Sequence, residues 1–247
     1  MAITPLPPGE TVGGQGRAYW VEKYFQWLFP LIYEKEEQEV NENDQQYGLV
    51  WFGRGKYTRG FEGIKDPVNE SYELPFNTYF MVPMLKFIAH EEDNDGSNYG
   101  QLLNVVRSLS DWSAIRSLSI LWSEGKNIVG GFSCTRQDNG SFKVEGDYSP
   151  IEYYAETREF YLSTKGYEQP STRAVAAGYP VIFKIDQEPG KKYKIRVHAD
   201  FNYHWAQRHE HMDVTDTYTI EVVGNHVPRY TDGLSGYQDK VKGIEFP

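Results

Sequence analysis

Cysteine is almost absent from this chain. Cys134 is the sole thiol, so no intrachain disulfide can form and a zinc–cysteine cluster is excluded. Basic charge is also short: 25 Lys and Arg stand against 35 Asp and Glu, a net charge of −10. No Lys/Arg-rich tail is present. The chain therefore lacks the clustered cations that release counterions from a phosphate backbone, which argues against direct nucleic-acid binding. No apolar run approaches bilayer-spanning length. Residues 1–8 have neither the basic start nor the apolar middle of a secretion signal, so the expectation is cytoplasmic synthesis with the sequons at Asn69 and Asn139 unused. The usual catalytic signatures are missing as well. Gly9 and Gly14 lead into Gln15-Gly16 where a phosphate loop needs Lys and Ser or Thr, and residues 53–60 lack the third glycine of a dinucleotide fingerprint. No nucleophile elbow or oxyanion loop is seen. The expectation is a chain that is not an enzyme.

Aromatic side chains, by contrast, are plentiful: 19 Tyr, 13 Phe and 6 Trp. Such residues suit strands and contact surfaces, because Tyr and Trp join a large apolar area to a polar tip. The strongest pattern runs over 192–205. Tyr193, Ile195, Val197, Ala199, Phe201, Tyr203 and Trp205 alternate with Lys192, Lys194, Arg196, His198, Asp200, Asn202 and His204. A period of two over that length means a long strand with one buried and one wet face. Residues 179–185 read as a strand before it and Asp186-Gln-Glu-Pro-Gly190 as a hairpin turn between the two.

The rest of the chain follows in order. Residues 1–16, rich in Pro and then Gly, read as an extended flexible arm that is either frayed or docked on a neighbouring subunit. Residues 17–43 begin with Tyr19, Trp20, Tyr24, Phe25, Trp27 and Leu28 at threes and fours. That spacing predicts a helix interrupted near Pro30, before the chain turns acidic over 34–44. Strands are expected at 48–52 and 72–84, and short helices at 84–91 and 101–109. From residue 112 the chain becomes β, with strands at 114–122, 128–136 and 141–145, and Asp138-Asn-Gly140 as a hairpin signal. Residues 151–163 fit strand or helix equally; 217–223 gives one more strand, and 224–247 reads as a surface tail. The expected organisation is one β-rich domain over 17–223, with helical insertions near 17–40 and 84–110. Whether 17–111 forms a separate lobe stays open. The fold class is mainly β, an antiparallel β-sandwich of jelly-roll style.

Chemistry-bearing residues gather in two places. If residues 204–213 continued as a strand, His209, His211 and Asp213 would share a face, a pattern able to bind Zn²⁺ or Fe²⁺. The arrangement resembles the His-x-His of cupins, but Val214-Thr-Asp216 supplies no Glu and only His226 follows; a polar loop is the alternative. Asp93, Asp95 and Ser97 match the first ligand positions of a calcium loop. Asn98 and Asn104 then stand where the invariant Gly and the bidentate Glu belong, so an acidic turn is the alternative there too. No cofactor is otherwise implied. Cys134 falls within a strand and reads as a buried structural thiol. Tyr19, Trp20, Trp27, Trp51, Trp122 and Trp205 are the candidate contact residues. For a carbohydrate-binding sandwich, Trp205, Trp51 and Trp122 would be the stacking platforms.

The hairpin pattern of residues 178–203 carries a family resemblance. Gly178-Tyr-Pro-Val-Ile-Phe-Lys-Ile and Pro189-Gly-Lys-Lys-Tyr-Lys-Ile-Arg-Val-His-Ala-Asp-Phe-Asn-Tyr203 resemble the closing strands of jelly-roll viral coat proteins. Trp112-Ser-Ala-Ile-Arg-Ser-Leu-Ser-Ile-Leu-Trp122 falls where such proteins place another sheet strand, and Met1-Ala-Ile-Thr-Pro-Leu-Pro looks like the start of some tailed-phage virion proteins. The resemblance implies a structural capsid, cement or tail component, made in a host cytoplasm, located in the virion, and forming a homo-oligomer or binding other particle proteins. The basic arm that RNA-virus coats carry is missing from residues 1–16, in line with no genome contact and no membrane. A carbohydrate-binding module and a cupin-like metalloenzyme are the alternatives from other classes.

Overall fold

The computed structural model describes residues 3–34, 46–47, 49–54, 68–91, 96, 98–162, 172–205 and 208–224. In chain order these form β1 (Thr4–Pro5), α1 (Arg17–Glu34), β2 (Gln46–Tyr47), β3 (Val50–Phe52), β4 (Val68–Pro75), β5 (Thr78–His90), α2 (Tyr99–Leu109), β6 (Ile115–Glu124), β7 (Asn127–Arg136), β8 (Phe142–Glu145), β9 (Ala155–Glu156), β10 (Phe160–Leu162), β11 (Thr172–Ile185), β12 (Lys192–Trp205) and β13 (Arg208–Val223).

Two sheets face each other, so the chain is a β-sandwich. The first runs β1-β11-β5-β3-β2, with β9 and β10 also on the β1 side of β11; the second runs β4-β13-β12-β6-β7-β8. Most pairs are antiparallel, but each sheet is mixed: β3 lies parallel to β5 and β4 parallel to β13. The alternation over β12 sets its orientation as expected. Tyr193, Ile195, Val197, Ala199 and Phe201 are buried between the sheets, while Lys192, Lys194 and Arg196 are in solvent. In the main core they join Leu118, Ile120, Tyr218 and Ile220 of their own sheet and, across the gap, Phe80, Val181 and Phe183 of the other. A second core lies on the outer face of the first sheet. There Val21, Tyr24, Phe25, Leu28 and Phe29 of α1, spaced at threes and fours, cover Phe52, Met81, Ala176 and Ile182. Burial of these side chains supplies most of the stability of α1, at about 1.5–3 kcal/mol each. Leu102 and Val106 of α2 close a third cluster on Ala89, Val175 and Ala177.

Several expectations are corrected. β11 and β12 are not a hairpin: they belong to different sheets, and residues 186–191 cross the sandwich, held by Gly190 N donating to Val222 O at 2.7 Å. A Pro-Gly turn suits either role. The helix expected at 84–91 is the continuation of β5. Both faces of β5 and β11 are covered, one by the second sheet and the other by helices, which erases the alternation that marks a half-wet strand. The strand expected at 72–84 is two strands from opposite sheets, split at Phe76-Asn77, where Asn77 takes φ 60°. α1 runs through Pro30 instead of breaking there. The arm of residues 1–16 is, over its described part, attached to its own chain. Thr4 and Pro5 pair with Lys184 and Phe183, Ile3 and Val12 are buried, and the Arg17 guanidinium donates to the carbonyls of Leu6 (3.0 Å) and Pro7 (2.7 Å). Residues 151–163 begin as a 3₁₀ turn, Pro150–Tyr153, and continue as the short β9 and β10.

Candidate functional site

The sandwich has a polar seam where β3, at one side of the first sheet, meets β4, the edge of the second. Gly53 sits so close to the Tyr218 ring that an added Cβ would lie 2.8 Å from its Cε1. The next residue is gripped from both directions. Arg54 N donates to Glu70 Oε2 (3.1 Å) and to Tyr72 Oη (3.0 Å), and Tyr72 Oη donates to Glu70. Arg54 O accepts from Tyr24 Oη of α1 (2.5 Å) and from Lys86 Nζ of β5, which also donates to Tyr24 Oη. The stem of Lys86 keeps some exposure but its ammonium end is enclosed. Burial draws its pKa down to about 8, against the opposing pull of Asp216 and Glu70. Burial, with the charges of Asp216 and Glu70 adding to it, pushes the Tyr218 phenol well up. An amine near neutrality beside a buried carboxylate is the inventory of a proton-transfer site. Each hydrogen bond named here, however, ends on Arg54 or on another member of the cluster. As it stands the arrangement locks the end of β3 to both β4 and α1.

Over its described residues the His-rich stretch is strand, the end of β12 and the start of β13. β13 resumes at Arg208, and the register sets Asp200 opposite Asp213, Asn202 opposite His211 and His204 opposite His209. On the outer face this puts two carboxylates side by side, a repulsive pairing. Each has a diagonal hydrogen-bond partner: His198 Nε2 lies 2.8 Å from Asp213 Oδ1, and His211 Nε2 lies 2.8 Å from Asp200 Oδ1, with Arg116 Nε 3.7 Å from Asp200. His211 and Asp213 thus share a face as expected, but each is engaged by a partner on β12; the side chain of His209 lies outside the described part. Among the described residues no three His, Cys, Asp or Glu side chains gather to hold a metal ion. Asp93, Asp95 and Ser97 lie outside the described residues, as do the acidic stretch 35–45 and the tail from residue 225.

The aromatic candidates are mostly structural. Trp51 is fully buried and Trp20 nearly so. Tyr19 and Trp27 are half-buried against the α1 core. Trp122 packs edge-on to Phe183 (5.4 Å) and Phe132 (6.1 Å) between the sheets. The side chain of Trp205 lies outside the described part. Trp51 is therefore spent on packing and cannot serve as a sugar platform, while Trp122 is partly buried with its ring against Phe183 and Phe132. The Cys134 thiol is buried, as expected, and burial pushes its pKa up to about 11.

Solvent-facing apolar residues lie elsewhere. The open end of the β6–β7–β8 meander exposes Leu121 (40 %), Ile128 (71 %) and Val129 (41 %), and Val144 (44 %) is exposed on β8 opposite Cys134. β8 pairs only with Ser133–Arg136 of β7, so among the described residues no strand runs beside 127–132 on that edge. Trp112, 52 % exposed, stands at the start of the 3₁₀ turn Trp112–Ala114 before β6. Neither site stands out in sequence. Ile128 and Val129 look like ordinary strand residues, and what sets them apart is that no described strand runs beside them. For Lys86 there was a signal: it is the one charge inside the apolar run 79–89.

No helix among the described residues is long and apolar enough to cross a membrane. No protein-family model matches the chain, and a search of curated proteins finds no match either.

Proposed function

We propose that this protein is a non-enzymatic structural subunit of a larger particle, of the virus or phage type. It acts through contacts with copies of itself and with other particle proteins, and it is located in the virion. The observation that carries this reading is the bare end of the β6–β7–β8 meander. Leu121, Ile128 and Val129 are exposed there, beside a strand edge that no other described strand pairs, and Val144 is exposed farther along on β8. An open edge with apolar side chains is a ready template for another chain, and natural proteins normally shield such edges. The net charge of −10 supports the same reading, since mutual repulsion keeps free subunits apart until specific contacts form, and it disfavours nucleic acid as the partner.

Light scattering coupled to size exclusion, over a wide concentration range, is the test. The reading expects a concentration-dependent oligomer, and Ile128→Asp should move it toward the monomer without altering the circular dichroism of the fold. A strict monomer at every concentration, together with no partner in the particle fraction of its source, would refute it.

A further inference from the structure

Trp112 is held in a way that packing alone does not require. The Arg136 guanidinium lies over its indole, 5.0 Å from the ring centroid, and over Phe142 at 4.8 Å. The same guanidinium donates to three backbone carbonyls: Trp112 O at 2.6 Å, Ile115 O at 2.9 Å and Gly140 O at 3.2 Å. One planar cation therefore fixes the backbone of Trp112, supports one face of its ring and ties the 137–141 turn beside it. Phe142 stands tilted at 6.0 Å, and no other described ring or cation stacks on the indole. More than half of the residue is exposed (52 %), and Arg136 is the one described cation lying over its ring. A large aromatic plane, pre-set and bare, costs little entropy to engage a ligand.

We propose that the open face of Trp112 is a stacking platform for a neutral saccharide, a function beyond the assembly reading. The surroundings select this ligand class. Apolar ligands would want walls, yet the nearby Asp111 and the 137–141 turn with Asn139 are exposed and polar. Asp111 Oδ1 accepts from Ser113 N (2.7 Å) and Asn139 Oδ1 from Ser141 N (3.0 Å) and Oγ (2.6 Å), which leaves Asp111 Oδ2 and the Asn139 amide nitrogen for the hydroxyls around a pyranose ring. Anionic glycans meet a protein of net charge −10. Arg136 is committed to three carbonyls and two rings, so it is not offered to an anion.

The experiment uses the full chain and a panel of neutral glycans, with cellohexaose, chitohexaose, maltohexaose and mannohexaose followed individually by calorimetry. At least one should bind saturably. Trp112→Ala should weaken that binding by about tenfold or more, as loss of a stacking contact requires. Trp112→Tyr should keep most of it, and Ile128→Asp should leave it unchanged. Because the indole is exposed, both Trp112 variants should fold, as circular dichroism would show. Three results overturn the proposal: no binding across the panel, binding that survives Trp112→Ala intact, or a Trp112→Ala variant whose only defect is self-association. In the last case Trp112 is a subunit contact and the assembly reading stands without the sugar.

Discussion

Lys86 should make the stability of this protein rise with pH in a window where most proteins are flat. Its amine titrates near 8 when folded against an ordinary value of 10.5, because burial disfavours the charged form. Below pH 8 both folded and unfolded chains carry the proton, and the folded state bears the full cost of a desolvated ammonium. Between 8 and 10.5 the unfolded chain holds a proton that the folded one has released, so stability climbs with pH. The full span of that shift corresponds to about 3 kcal/mol, and about 2 kcal/mol of it should be recovered by pH 9.5. The Cys134 thiol, pushed from 9.0 up to about 11, acts in the opposite sense from about pH 9, and the buried phenols of Tyr153, Tyr179 and Tyr218, all pushed up, do so as their unfolded counterparts ionise near pH 10; both contributions are common to the wild type and Lys86→Met. Urea unfolding of the wild type and of Lys86→Met at pH 7.0 and 9.5 isolates the effect. Over that interval the wild type should gain about 2 kcal/mol relative to Lys86→Met, equivalent to roughly 4–8 °C in melting temperature. If both proteins show the same pH dependence, the ammonium is solvated and the lock at Arg54 is not as described.

Other outcomes follow from individual contacts. Gly178→Ala would place a Cβ 2.5 Å from Leu85 O, a backbone atom that cannot swing aside, so urea unfolding should show a loss of about 3 kcal/mol or more. Arg17→Ala removes the buried guanidinium that holds the Leu6 and Pro7 carbonyls and lies over Tyr153. It should cost about 1–3 kcal/mol and open residues 3–16 to limited proteolysis before the rest of the chain. Cys134 should resist a thiol reagent at pH 8 in the native state and react only as the protein unfolds, since its thiol is enclosed and pushed up to about 11. A double-mutant cycle on His211 and Asp200 should return a coupling below about 1 kcal/mol, because the pair lies on the wet face of the sheet.

Much of the architecture was legible from residue order alone, for a local physical reason. β12 has one wet face, so Tyr193 to Phe201 had to alternate with Lys192 to Asp200. α1 has one dry stripe, so Val21, Tyr24, Phe25, Leu28 and Phe29 had to recur at threes and fours. α2 and the meander of β6, β7 and β8 carry the same kind of local signature, and their bounds were foreseen closely. Periodicity lost its meaning where both faces are dry: β5 looked helical over its second half, and nothing in β11 told a hairpin from a crossing between sheets. The candidate sites depended still more on contacts distant along the chain. Trp51 and Trp112 are the same residue type, and only the arrangement of the sheets buries the first and leaves the second bare. In the same way Asp200 and His211 become partners only through the β12–β13 register, and Lys86 becomes a perturbed amine only because α1, β3 and β4 close over it. Composition and period determine which face of an element is dry; which elements meet, and hence which polar group is caged or which aromatic is left open, is decided by the free energy of packing the whole chain.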